Sequence, residues 1–135
     1  MCAGTCLDYL PPVVNLVASP SAPREAGSFL VGALRDQSPE QVALASRLTA
    51  EMLEMIVRHV MGPSGQTIRV TAAGDDRGIQ VTIRERGPGL ALGMASELQA
   101  DVSGRRLLET TSSRWGLAHS ITGTYLWFDL EESIP

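Results

Sequence analysis

The chain has 135 residues, of which 44% are hydrophobic and 19% charged, a balance that excludes a wholly disordered protein and suits a single domain. Its formal net charge of −4 argues against a protein that binds nucleic acid broadly through the phosphates, so no direct nucleic-acid partner is expected. All eleven basic residues are arginines, and without a lysine the chain cannot form the phosphate-binding P-loop.

The first residues predict a flexible arm and a cytoplasmic location. Residues 1–12 end in a Pro-Pro pair and lack the basic start and long apolar core of a secretory signal. Two cysteines this close together near one end do not make a disulfide framework, which favours a reducing compartment. No run reaches the roughly 18 apolar residues of a membrane span, so no membrane association is expected. We expect an arm over residues 1–12 and one domain over residues 13–135.

The first half of that domain predicts one strand and two helices. A short strand is predicted over residues 13–18, and apolar residues at three- and four-residue steps then predict a helix over residues 24–35. The second helix is predicted over residues 39–61 and ends at a Gly-Pro pair. Its start is marked by Ser38 and Gln41, which have the spacing of a capping box.

The second half predicts a hairpin, a short helix and two closing strands. Residues 67–72 and 79–84 alternate between apolar and polar side chains around a Gly-Asp-Asp-Arg-Gly turn. One face of this hairpin carries Ile68, Val70, Ile79, Val81 and Ile83, and the other carries Arg69, Thr71, Gln80, Thr82 and Arg84. A helix over residues 105–113 and two strands within residues 115–130 follow. This order predicts an α+β two-layer sandwich, with a mixed, mainly antiparallel sheet covered on one face by helices.

Three segments carry the residues best suited to chemistry: residues 51–59 on the second helix, residues 85–89 after the hairpin, and residues 104–108 at the third helix. With this element order they resemble the histidine-kinase-like ATPase (GHKL) fold, most closely the small bacterial anti-sigma-factor serine kinases and their actinobacterial ATP-binding relatives. The resemblance covers nearly the whole predicted domain. It assigns a nucleotide site to Met55, Arg58, Glu85, Gly87, Gly89, Gly104, Arg106 and Thr124, with Glu51 as the catalytic residue if the protein is an active enzyme.

The first of these segments lies on the long helix. Glu51 is followed four residues later by Met55, and then by the pair Arg58-His59. Residues four apart share a helical face, so a carboxylate and an oxygen donor there can serve one site, the first polarising a nucleophile and the second binding Mg²⁺. The family has an Asn where this chain has Met55, whose thioether is a poor ligand for a hard cation. Two interpretations stay open: Glu51 is a catalytic base, or it is a solvated carboxylate beside a core methionine.

The second segment follows the hairpin. The resemblance implies that the carboxylate at Glu85, an Asp in the family, accepts a hydrogen bond from the adenine amino group. Gly87 and Gly89 would then permit a close turn against the base. Glutamate is one methylene longer than aspartate, which weakens that recognition. The alternative is an ordinary Arg-Gly-Pro-Gly turn.

The third segment, residues 104–108, corresponds to the part of the family's site that contacts the phosphates of the nucleotide. The resemblance implies that glycines at Gly104 and two residues later let helix-terminal amides approach phosphate, but Arg106 stands at the second position. Its guanidinium either blocks that approach or binds an anion itself, or it is a solvated arginine. Thr124, within a Gly-Thr pair of the last strand, would help to bind adenine directly or through water.

Because each segment departs from the family at a residue that touches ligand, the first hypothesis is a nucleotide-independent regulator of the anti-sigma-factor type. It would need no cofactor and would bind a sigma factor, an anti-anti-sigma-type protein or a second copy of itself. The alternative is an active serine/threonine kinase that uses ATP and Mg²⁺, with Glu51 as the base. A third hypothesis has a different small ligand in the former nucleotide cleft, beside Met52, Met55 and Arg106.

Overall fold

The computed structural model describes residues 11–58, 67–86, 102–120 and 123–131. The helices and strands in these ranges are β1 (Val13–Val17), α1 (Ala22–Ala33), α2 (Pro39–Arg58), β2 (Thr67–Asp75), β3 (Gly78–Arg86), α3 (Val102–Thr111), β4 (Arg114–Ser120) and β5 (Gly123–Glu131). Each predicted element is present. The starts of β1, α2 and β2 are as predicted, whereas α1 begins two and α3 three residues earlier than predicted. The predicted end of the second helix, at residue 61, lies outside the described ranges. Of the predicted arm, residues 1–10 lie outside the described ranges. Pro12 already belongs to the sheet edge, because its carbonyl accepts a hydrogen bond from the Ala72 amide at 3.2 Å.

The strands form one sheet in the order β1-β2-β3-β5-β4. Neighbouring strands in this order are antiparallel in every case. The predicted α+β two-layer sandwich is therefore confirmed, and its described strand pairs are all antiparallel where the prediction allowed a mixed sheet.

One face of the sheet supplies the core together with the helices. Alternate strand residues turn their side chains toward this face, as the alternation within the hairpin predicts. The strand residues buried there include Leu16, Ile68, Val70, Ile79, Val81, Ile83, Leu126, Phe128 and Leu130. The helices contribute Ala22, Ala26, Leu30, Ala45, Leu48, Met52, Leu53, Met55 and Leu108. All three described helices thus pack on the same side of the sheet.

The opposite side, which we call the open face, carries the intervening strand residues. Asn15, Arg69, Gln80 and Arg84 on it are exposed, whereas Tyr125 and Trp127 are half-buried. This side corresponds to the polar face that the sequence predicted for the hairpin. The fold therefore separates a helix-covered face from a face that the described helices leave uncovered.

The start of α2 forms only half of the predicted capping box. The hydroxyl oxygen of Ser38 accepts a hydrogen bond from the Gln41 amide at 3.2 Å, as predicted. The side chain of Gln41 does not return to Ser38; its Nε2 donates to the Glu131 carbonyl at 2.9 Å. Gln41 therefore ties the first turn of α2 to the end of β5.

The turn between β2 and β3 is built around Asp75 and Gly78. Oδ1 of Asp75 accepts hydrogen bonds from the Arg77 amide at 2.8 Å and the Gly78 amide at 3.2 Å. Gly78 has φ +146°, and a Cβ there would lie 2.0 Å from the Leu130 carbonyl oxygen. A glycine is required at this position. In the described ranges, no helix combines the length and apolar character needed to cross a membrane.

Candidate functional site

The residues of the first predicted segment lie on α2 in different environments. Glu51 is exposed, whereas Met55 is 2% exposed and belongs to the hydrophobic core. Arg58 is the last residue of α2, and its side chain lies outside the described part. The core interpretation of Met55 is thus confirmed.

The described part of this segment does not fit magnesium. Mg²⁺ takes hard oxygen ligands in near-octahedral geometry, and the position that should supply one presents a buried thioether. Among the residues described, no group of three His, Cys, Asp or Glu side chains has the arrangement to hold a metal ion.

Glu85 occupies an unusual position on the helix-facing side of β3. It is 1% exposed and continues the row of inward-facing residues that contains Val81 and Ile83. Burial away from water raises the pKa of its carboxyl group to about 7. Near neutral pH this side chain therefore exchanges between an ionised form, which only accepts hydrogen bonds, and a protonated form, which also donates one.

The sheet register brings Glu85 together with Thr124. The two residues are paired across β3 and β5, and Ile68 is the partner of Glu85 on the other side. The resemblance assigned Glu85 and Thr124 to one adenine site from positions 39 apart in the sequence, and the backbone places them side by side. The Thr124 side chain, Gly87 and Gly89 lie outside what the structure describes.

The third segment lies within α3 rather than before it. The helix begins at Val102, so Gly104 falls inside its first turn, where the sequence predicted a start at residue 105. Arg106 is exposed, and its carbonyl accepts a hydrogen bond from Oγ1 of Thr110 at 2.8 Å. Leu108 of the same helix is buried in the core. Since a helical Gly104 is not a loop glycine ahead of the helix, the described backbone does not reproduce the phosphate loop that the resemblance implies.

A polar cluster that the sequence did not reveal lies on the open face, at the end of the sheet nearest the β2-β3 turn. Oδ1 of Asp129 accepts a hydrogen bond from Nε2 of Gln80 at 2.8 Å, and its Oδ2 accepts one from Nη2 of Arg114 at 2.9 Å. The Asp129 side chain is 12% exposed, whereas that of Arg114 is 73% exposed. These side chains line a shallow groove of about 660 Å³ that also contains the turn.

The sequence pattern predicted the position of only one member of this cluster. Alternation within the hairpin placed Gln80 on the polar face, but its partners come from two other strands. Gln80 pairs with Asp129 in the β3-β5 register, and Asp129 pairs with Arg114 in the β4-β5 register. A residue pattern that is local in sequence does not specify either register.

Two arginines are neighbours on the open face, toward the end of the sheet away from the β2-β3 turn. Arg69 on β2 and Arg84 on β3 are directly paired in the sheet register. Nε of Arg69 donates a hydrogen bond to Oδ1 of Asn15 at 3.2 Å. The guanidinium carbon of Arg84 lies 5.4 Å from the centroid of the Tyr125 ring, within the range of a cation–π contact.

Comparison with known proteins does not assign the chain to a family. No protein-family model matches the sequence, and no curated protein sequence matches it at a significant level.

Proposed function

We propose that the protein is a cytoplasmic regulator of the anti-sigma-factor type that acts by binding another protein and does not transfer phosphate. The observation that carries this proposal is the burial of Met55. The resemblance requires an oxygen donor at this position of the long helix, facing bound nucleotide and metal. A side chain in the hydrophobic core is neither open to a ligand nor able to bind Mg²⁺ through a hard donor.

The state of Glu85 supports the same conclusion. An adenine amino group needs an acceptor at a fixed distance, and the family supplies the shorter Asp. Here the longer side chain is buried, and its pKa is raised to about 7. A carboxyl group that is protonated for part of the time offers adenine a weaker acceptor than a permanently ionised one.

The sheet geometry supports a role in protein binding. All three described helices lie on one side, and the open face presents arginine and aromatic side chains, which are residue types enriched in protein interfaces. By resemblance, the partner is a sigma factor or an anti-anti-sigma-type protein. A second copy of this chain is the remaining candidate.

Two measurements on the purified full chain test this function. Isothermal titration with Mg-ATP is expected to show no binding at millimolar nucleotide. Interferometry against the sigma factors and anti-anti-sigma-type proteins of the same organism is expected to find a partner whose affinity is unchanged by Mg-ATP. Micromolar Mg-ATP binding together with phosphorylation of a partner would establish the kinase instead. Failure to bind any of these proteins would reject the anti-sigma assignment.

A matched variant tests whether the three positions that differ from the family account for the expected lack of nucleotide binding. The triple substitution Met55→Asn, Glu85→Asp and Arg106→Gly restores the family residues. If the rest of the cleft is preserved, this variant gains measurable affinity for Mg-ATP. A folded triple variant that stays silent would show that the cleft has changed beyond these side chains, as the helical Gly104 suggests.

A further inference from the structure

The arginine pair on the open face is unfavourable for the isolated protein. Like charges placed directly opposite each other on neighbouring strands destabilise a sheet. The backbones of such residues are only about 5 Å apart, so Arg69 and Arg84 are close neighbours. Both side chains are exposed on a chain that carries a net charge of −4. Two juxtaposed cations on an acidic protein require an explanation.

The described surroundings do not neutralise this pair. Arg69 contacts the neutral amide of Asn15, and Arg84 lies over the Tyr125 ring. In the described part of the chain, neither guanidinium forms an ion pair with a carboxylate; the ion pair found on this face joins Arg114 and Asp129. Asp129 pairs with Gln80, which lies four residues along β3 from Arg84. That separation is about 13 Å, beyond the screening length of about 8 Å in physiological salt.

The chemistry of the pair favours carboxylates from another protein. Each guanidinium presents a planar fork of N–H donors that matches a carboxylate, and two forks side by side accept two acidic side chains of one segment. Next to the pair, the edge strand β1 carries Val13 and Val17, which are 50% and 54% exposed. The surface thus offers charged anchors beside apolar contact area.

Two other occupants fit less well. Single-stranded nucleic acid stacks its bases on open aromatic rings, but the Tyr125 ring lies under Arg84 and the Trp127 indole packs against Gly116. A second copy related by a two-fold axis through the pair would bring the arginines against their own equivalents. Charge complementarity therefore favours a different, acidic chain.

We infer that the open face around Arg69 and Arg84 is the docking surface for an acidic segment of a partner protein. This inference rests on the proposed function insofar as the protein acts by binding another protein. It assigns that binding to the side of the sheet opposite the helices and the former nucleotide cleft. The carboxylates of the segment pair with the two guanidinia, and this contact removes the repulsion between them.

The test uses the full chain and a fluorescein-labelled decapeptide of alternating Glu and Thr, with binding followed by fluorescence anisotropy. The open-face variant is Arg69→Gln with Arg84→Gln. The control is Arg24→Gln with Arg35→Gln, which removes the same charge from two exposed positions, one in the first turn of α1 and one two residues after its end. We expect the wild type and the control to bind alike and the open-face variant to bind at least about tenfold more weakly, in a salt-dependent manner.

Several results would overturn the inference. These are no peptide binding by the wild type, an equal loss of affinity in both variants, tighter binding of a 15-nucleotide oligo(dT) than of the peptide, or self-association that only the open-face variant loses. The proposed function is tested separately, by measuring how the same variants bind the partner found among the sigma factors and anti-anti-sigma-type proteins, here called the sigma-class partner. A partner bound equally by wild type and open-face variant contradicts the docking surface and leaves the function standing. Peptide binding through the arginines without any sigma-class partner supports the surface and contradicts the function.

Discussion

The indole ring of Trp127 lies against the backbone of Gly116, its partner on the neighbouring strand. A Cβ on Gly116 would come within 2.5 Å of Nε1 of Trp127 and within 2.9 Å of two further ring carbons. A rigid indole cannot avoid such a contact by a small torsional change. Gly116 therefore provides the space in which the ring lies along the open face.

Gly116→Ala is expected to lower the free energy of unfolding by about 1–3 kcal/mol, because the added methyl group displaces the ring. Gly32→Ala, on the exposed side of α1 with no atom within 4 Å of the new Cβ, is the matched control. It should raise stability by about 0.5–1 kcal/mol through helix propensity. Urea denaturation of both variants measures the effects. Equal stability of the Gly116 variant and the wild type would contradict the ring position.

Substitutions at Met55 test the observation on which the proposed function depends. Met55→Asn buries an amide in the core and should cost about 2–5 kcal/mol, whereas Met55→Leu keeps the apolar volume and should cost less than about 1.5 kcal/mol. Chemical denaturation of the two variants compares them directly. If the Asn variant is as stable as the wild type, the side chain at this position faces an open, polar cleft and the kinase hypothesis gains support.

The buried carboxyl of Glu85 predicts a specific dependence of stability on pH. The raised pKa means that the folded protein holds a proton which the unfolded chain, with a value near 4.5, releases. The contribution of Glu85 to the free energy of unfolding should therefore be largest below about pH 4.5. It should fall as the pH rises and level off above about pH 7. Between pH 5 and pH 8 the loss is on the order of 2 kcal/mol.

The control for this dependence is the comparison of two substitutions. Glu85→Gln removes the titrating group and should flatten the change between pH 5 and pH 8. Glu51→Gln removes an exposed carboxylate and should keep the wild-type change. Urea denaturation at the two pH values measures all three proteins. If the Glu85 variant loses as much stability with rising pH as the wild type does, the carboxyl group is not desolvated.

Thr49 offers a substitution expected to stabilise the protein. Its side chain on α2 is fully buried, and its Oγ1 finds no hydrogen-bond partner among the described residues. Thr49→Val keeps the shape and removes a desolvated hydroxyl, so stability should rise by about 1 kcal/mol. Val42→Thr, at a half-buried position of the same helix, is the reverse control and should destabilise. A loss of stability in the Thr49 variant would reveal a hydrogen bond to its hydroxyl.

The parts of the fold that could be predicted are those set by local patterns. Alternation along β2 and β3 correctly assigned Val81 and Ile83 to the core and Thr82 and Arg84 to the other face. The start of α3 was misplaced because Gly104 disfavours a helix by about 1 kcal/mol, whereas burial of Leu108 and packing against neighbouring elements offset that cost.

The candidate site could be predicted less fully, because its contacts depend on strand register. The Gln41 side chain contacts Glu131, and the Asp129 side chain contacts Gln80 and Arg114. Each of these contacts joins residues that are far apart in the sequence. The pairing of Glu85 with Thr124 was anticipated only through the resemblance. Arg69 and Arg84 were placed on the polar face, but their direct opposition required the register of β2 and β3.

Along β3, residues that hold the protein together alternate with residues that have no part in its core. Thr82 and Arg84 can therefore be exchanged over generations while Val81 and Ile83 keep the domain folded. Duplicated genes for such a protein can diverge in the molecules they recognise without passing through unstable intermediates. Selection for a new specificity would act on every second codon of a strand.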